Sequence, residues 1–126
     1  MKIGIDIDGV LTKQVNFFNE LTRLFRKEGH KVYIITGLGK EVAEERLKDY
    51  LVGEHDGIHS TDNYSTFEKS LIPTGISNEI IVGILKKRMC AELGISAMFD
   101  NRTDIQKELC DSVGKCAYLK VIDPIF

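Results

Sequence analysis

The chain has no tryptophan, two prolines and three cysteines in 126 residues, and each scarcity closes off a class of protein. With so little proline beside 43% apolar and 29% charged residues, the composition is that of a folded domain and excludes a disordered or Pro-rich linker chain. Cys90, Cys110 and Cys116 are odd in number and contain no C-x-x-C pair, so neither a disulfide framework nor a zinc site is expected. They read as reduced and mostly buried, in keeping with the preference of free cysteine for cores. Apolar runs fall far short of the roughly 18 residues a membrane helix needs, and "MKIGIDIDG" carries charge where a signal peptide has its apolar stretch. The expected location is cytoplasmic, with no membrane partner. A formal net charge of −2 leaves no general footprint for nucleic acid, which is not an expected partner, although it leaves room for a local basic patch such as Lys86, Lys87 and Arg88. The length suits one domain, residues 1–126, with a sizeable core.

The patterning alternates strands with helices. "KIGIDI" has too few polar positions for a strand facing water and reads as a parallel strand buried on both faces. Phe17, Leu21, Leu24 and Phe25 recur at helical spacing, with Gly29 closing that helix, and the stripe Phe17, Phe18, Leu21 and Phe25 is assigned to the core. "KVYIIT" is a second strand. "GKEVAEERLKDYLVG" is a second helix with Val42, Leu47 and Leu51 as apolar positions and Gly53 beyond it. "DGIHS" is a short third strand. Residues 60–77, rich in Ser, Thr, Asn and Gly, read as a long loop with Tyr64, Phe67 and Lys69 as candidate substrate contacts. A helix is expected from Asn78 to Leu93, with a strand start at "EIIVG" as the alternative. "ISAMF" is a fourth strand, "TDIQKELCDS" a helix capped by Thr103, and "CAYLKVI" a last strand.

This order predicts an α/β, Rossmann-like, doubly wound three-layer sandwich around a central parallel sheet, with right-handed crossovers. Ligands in such sheets bind at the carboxyl ends of strands, beside the point where strand order reverses. With the order 3-2-1-4-5, that crevice collects Asp6 and Asp8 from the first strand, Thr36 and Gly37 from the second, and Asp100 from the fourth. Residues i and i+2 of a strand share a face, so the two aspartates of "DIDG" repel unless a cation or an incoming phosphate chemistry uses them. Three carboxylates suit a hard oxygen-seeking cation such as Mg2+. A carboxylate attacking phosphorus forms an aspartyl-phosphate and divides hydrolysis into two displacements. Such a site also needs a hydroxyl, backbone amides and a lysine. Thr36 supplies the first and the bend at Gly9 the second; Lys86 and Lys87 are the candidates for the third.

"DIDGVL" resembles the first motif of the haloacid dehalogenase-like (HAD) hydrolase superfamily, D-x-D-G-[TV]-[LIV]. "YIITG" is similar to the second, and "KKRMCAELGISAMFDNRTD" to the third and fourth, a lysine on a helix and then a strand ending in acids. The match runs in order from Ile3 to Asp104. The resemblance implies a small capless phosphatase, a phosphoric monoester hydrolase dependent on Mg2+. It implies Asp6 as nucleophile and Asp8 as the acid for the leaving oxygen and then the base for water. Asp6, the Asp8 backbone carbonyl, Asp100 and Asp104 would be the metal ligands. Thr36 would bond a phosphoryl oxygen beside Gly9 and Gly37, and Lys86 would balance the charge. Lys86 is preferred to Lys87 because "KKRMCAELG" is similar to the "KxxICxELG" run of nucleotidase-like members.

Two features depart from the family pattern. In "FDNRTD", Phe99 replaces a common glycine and Asn101 stands where a second adjacent acid is found, while Asp104 keeps the D-x-x-x-D form. Only Gly9–Ile35 separates Asp8 from Thr36, which leaves no room for a cap domain. A large substrate, the loop at 60–77 or a second copy of the chain would then have to cover the site. Two other functions compete: a catalytically weak or silent HAD-like binding or assembly module, and a receiver-type phosphoacceptor domain. The receiver reading needs its acid after the third strand, whereas Asp56 precedes "GIHS". His55 and His59 invite a metal reading but are assigned as ordinary strand-end residues. The physiological substrate has no signature in these motifs.

Overall fold

Residues 1–50, 54–63, 78–100 and 117–120 are described by the computed structural model. Within them the chain forms β1 (Lys2–Ile5), α1 (Val15–Lys27), β2 (Lys31–Thr36), α2 (Lys40–Tyr50), β3 (Gly57–Ser60), α3 (Asn78–Leu93), β4 (Ala97–Asp100) and β5 (Ala117–Lys120). All strand pairings are parallel and run β3-β2-β1-β4-β5. The α/β class with a parallel central sheet flanked by helices is thus what the sequence pattern describes. β1 lies between β2 and β4: Ile3 is opposite Val32 and Ala97, and Ile5 opposite Ile34 and Phe99.

The two faces of the sheet are sorted by the two-residue period of a strand. Ile3 and Ile5 join Val32 and Ile34 in a core closed by Phe18 of α1 and by Ala43 and Leu47 of α2. Ile35 and Met98 form the other core with Leu85, Met89 and Cys90 of α3. Gly4 belongs to this second face, where a Cβ would lie 2.7 Å from Met98 Sδ and 2.8 Å from Ile35 Cδ1. The missing side chain lets the α3 side of the core close over the central strand.

Two expectations about packing are corrected. Of the stripe on α1, Phe18 is buried and Leu21 and Phe25 partly so, but Phe17 is 55% exposed; outside that stripe Thr22 is buried and Leu24 is 44% exposed. Successive helical residues are rotated by about 100°, so Phe17 sits beside the buried line and Leu24, two turns on, falls on its meridian. On α2 the buried pair is Ala43 and Leu47, four residues apart, which leaves Val42 50% exposed. The alternative of a strand start at "EIIVG" is also settled, since Asn78–Leu93 is one helix. Gly29 closes α1 with φ +87°, and the His30 N–H donates back to the Phe25 carbonyl at 2.9 Å.

Leu51, Gly53, Tyr64, Phe67, Lys69, the helix expected after Thr103, Asp104, Cys110 and Cys116 lie outside the described residues. Cys90 is a buried free thiol. No helix among the described residues is long and apolar enough to cross a membrane.

Candidate active site

Asp6 follows the last residue of β1 and keeps an extended backbone, φ −77° and ψ 161°, with its N–H donating to the Phe99 carbonyl at 3.0 Å. The strand period therefore continues one residue further and turns its carboxylate to the α3 side. The chain then bends through Ile7–Leu11, with Gly9 at φ +76°, a left-handed conformation that favours glycine. The Gly9 N–H donates to Thr12 Oγ1 at 3.0 Å, and Ile7, Val10 and Leu11 anchor the bend in the core.

On the opposite strand of the switch point, Asp100 ends β4 on the same face. Lys86 of α3 lies across both acids, its Nζ 3.3 Å from Asp6 Oδ1 and 3.0 Å from Asp100 Oδ2. All three side chains are buried. Two carboxylates against one ammonium leave a buried excess of negative charge when both are ionised. Burial pushes the Asp6 carboxyl up from 3.8 to about 7; Lys86 opposes the rise, and Asp100, by charge and hydrogen bonding, adds to it.

Asp8 does not join this triad. The bend turns its side chain outward, 48% exposed, into an ion pair with Arg46 of α2. Like charges two residues apart are thereby separated, one into the α3 face and one to the rim. Thr36, at the end of β2, is buried; its Oγ1 accepts the Leu38 N–H at 3.0 Å, which leaves its proton to donate. Gly37 lies against α3, where a Cβ would be 3.1 Å from Val82 Cγ1. Ser60, opposite Thr36 in the ladder, donates to the Leu38 carbonyl at 2.5 Å and accepts the Asp62 N–H at 3.0 Å. It ties the loop after β2 to the turn after β3 along the carboxyl edge.

The structure therefore brings together Asp6, Asp100 and Lys86, sets Thr36 and Gly37 at the same edge, and leaves Asp8 at the rim. Arg46 and Ser60 were not singled out from the sequence. Arg46 lies in the charged run "EER" that reads as a solvated helix face, and "STD" after a strand reads as a turn. His55 and His59 behave as ordinary residues: burial lowers both imidazoles below their usual range, and His59 packs edge-on to Tyr33 at 5.2 Å.

A divalent cation fits this donor set. Among the described residues no group of three or more His, Cys, Asp or Glu is assembled, and the carboxyls there that could hold a cation are the buried Asp6 and Asp100. Mg2+ commonly takes one or two carboxylates and completes its shell with waters and phosphate oxygens, and the excess of two ionised carboxylates over one ammonium favours a cation.

No protein-family model matches the chain, and no curated protein matches it. Among solved structures it is similar to a chain of the "Structure of Pnkp1/Rnl/Hen1 complex", with a TM-score of 0.62 at 16% identity over 99% of this chain. The match spans 47% of that chain, so the sequence corresponds to about half of that chain's length. A second likeness is to the "Structure of MT0777", with a TM-score of 0.47 at 10% identity, covering 98% of this chain and 87% of that one. At these identities the first likeness concerns the fold.

Proposed function

We propose that the chain is a HAD-like phosphatase, a Mg2+-dependent phosphomonoester hydrolase with a phospho-aspartate intermediate. The observation that carries the reading is the buried Asp6–Lys86–Asp100 triad at the carboxyl ends of β1 and β4, where parallel α/β sheets bind ligands. In this reading the sheet order 3-2-1-4-5 and the motif order belong together as a capless HAD-like domain.

A cation held by Asp6 and Asp100 would offset the negative charge of carboxylates and phosphate, and Lys86 does part of that work from the helix side. An Asp6 carboxylate oxygen attacks phosphorus as the bond to the leaving oxygen breaks. Asp8, at the rim within reach of solvent, takes up a proton from solvent and gives it to that oxygen. Water then attacks the phosphorus of the acyl phosphate, losing a proton to the Asp8 carboxylate, and the bond to Asp6 breaks. The sum is ester plus water to alcohol plus inorganic phosphate. Thr36 donates its hydroxyl proton to a phosphoryl oxygen, and the bend at Gly9 offers backbone amides.

The test is release of phosphate from an aryl phosphate by purified protein with and without Mg2+, beside Asp6→Asn. Metal-dependent turnover that disappears in the variant supports the reading. An inactive wild type that keeps its fold and still binds inorganic phosphate would favour a silent binding module. Turnover that persists in Asp6→Asn would require direct attack by water.

A further inference from the structure

We propose that Arg46 selects substrate, and that the crevice takes phosphomonoesters whose leaving group carries a second anion. This rests on the phosphatase reading for the direction in which the leaving group points, and the observations concern the rim rather than the buried triad.

Among the described residues, Lys86 is committed to two carboxylates and is not the cation for a second negative group. A further positive charge among these residues stands at the rim. Arg46 lies two turns into α2, whose first residue, Lys40, follows the loop at the carboxyl edge. Helical side chains lean toward the N-terminus, so a long arginine at this position reaches back up to the crevice. There one guanidinium nitrogen meets Asp8 Oδ1, while the side chain as a whole stays 45% exposed. A guanidinium has five N–H donors in a planar fork suited to a carboxylate or phosphate. One donor on Asp8 leaves capacity for a ligand.

Asp8 is the residue that must touch the leaving oxygen, so a group bonded to Asp8 faces the leaving group. Val42 adds a second indication. It lies one turn before Arg46 on the same face of α2, nearer the helix N-terminus, and is half exposed rather than in the core. Together they form a wall with an apolar part and a cationic part, matched to a leaving group with a short carbon body and an anion beyond it. With no cap domain in the chain segment between Asp8 and Thr36, this wall is a place where the fold itself discriminates between substrates.

Three phosphomonoesters separate the outcomes: glycerol 3-phosphate, 3-phosphoglycerate with a carboxylate as second anion, and propane-1,3-diol bisphosphate with a phosphate. Wild type should favour the last two over the first in kcat/KM by about 10- to 100-fold, the range of a charge-assisted bidentate contact. In Arg46→Met the ratio should collapse toward one, and Arg46→Lys should restore only part of it. A carboxylate-only or phosphate-only preference identifies which anion the fork takes. Equal rates on all three substrates in wild type, or an Arg46→Met that slows all three by the same factor, overturns the proposal. The aryl phosphate assay separates the two hypotheses, because its failure in wild type refutes the phosphatase reading alone. In that event calorimetric binding of propane-1,3-bisphosphonate against propylphosphonate still tests the rim: wild type should prefer the bisphosphonate, Arg46→Met should not, and equal binding by both proteins refutes the site.

Discussion

The Lys86 ammonium lies 3.3 Å from the Asp6 carboxylate, although one residue ends the first strand and the other sits in the middle of the helix before β4. Both groups are buried, so the contact replaces water for each of them. Lys86→Ala would leave Asp6 and Asp100 facing each other without a cation. At pH 8 a loss of about 3–5 kcal/mol of stability is expected, together with a fall in turnover of several orders of magnitude. Lys87→Ala, about 100° around the helix, should stay within about 1 kcal/mol and near wild-type turnover. Urea melts and phosphate release on the two variants rank them, and the reverse order refutes the role given to Lys86.

The pH dependence of stability follows from Asp6. Its folded value of about 7 lies above the unfolded value of 3.8, so the native state binds the proton more tightly than the unfolded chain. The resulting stabilisation is complete below pH 3.8 and is lost as pH rises through 7. Metal-free protein in chelator should therefore lose stability between pH 5 and pH 8 by this term, and Asp6→Asn should lose less over the same interval. Added Mg2+ at pH 8 should restore stability to wild type, because it binds the ionised native site. Parallel pH profiles of wild type and variant would refute the assignment.

Asp100 accepts from Lys86 at 3.0 Å and is the second buried acid of the crevice. Asp100→Asn keeps the shape and removes the charge, so the Mg2+ concentration for half-maximal turnover should rise at least tenfold. Asp104→Asn should raise it by a smaller factor. The check is a metal titration of turnover, and curves that overlay wild type for Asp100→Asn would move the metal elsewhere.

Phe99 stands edge-on to Phe18, with ring centroids 5.4 Å apart. The residue that departs from the common glycine of the fourth motif is thus a packing residue on the α1 side of β4, opposite in direction to Asp100. Phe99→Ala should cost about 3 kcal/mol in chemical denaturation through the cavity it leaves. It should leave the Mg2+ requirement of the residual folded enzyme close to wild type. A large metal effect without a stability effect would mean that the ring acts on the site rather than on the core.

Much of this was legible in the residues themselves. Apolar runs of four to six residues alternating with helical periods describe a parallel α/β sheet, because strands buried on both faces have no polar positions to show. Asp6, Thr36 and Asp100 could be read as strand-end residues, since a carboxylate or hydroxyl closes an otherwise apolar run there. Tertiary structure decided the rest. That Asp6 and Asp100 share a face comes from the pairing of β1 with β4, in which Ile5 is opposite Phe99. Lys86 and Lys87 are indistinguishable by composition; the motif resemblance favours Lys86, and the rotation of α3 against the sheet is what brings that residue to the acids. The helix period could not place Phe17, Leu24 and Val42, because the width of the buried stripe depends on how closely each helix sits on the sheet. Asp8 reads as a partner of Asp6, but the left-handed bend at Gly9 carries it to the rim, where Arg46, distant in the chain, holds it by charge. Local sequence sets period and hydrophobicity; the rotation of one element against another is set by packing across the core, which no short stretch of chain contains.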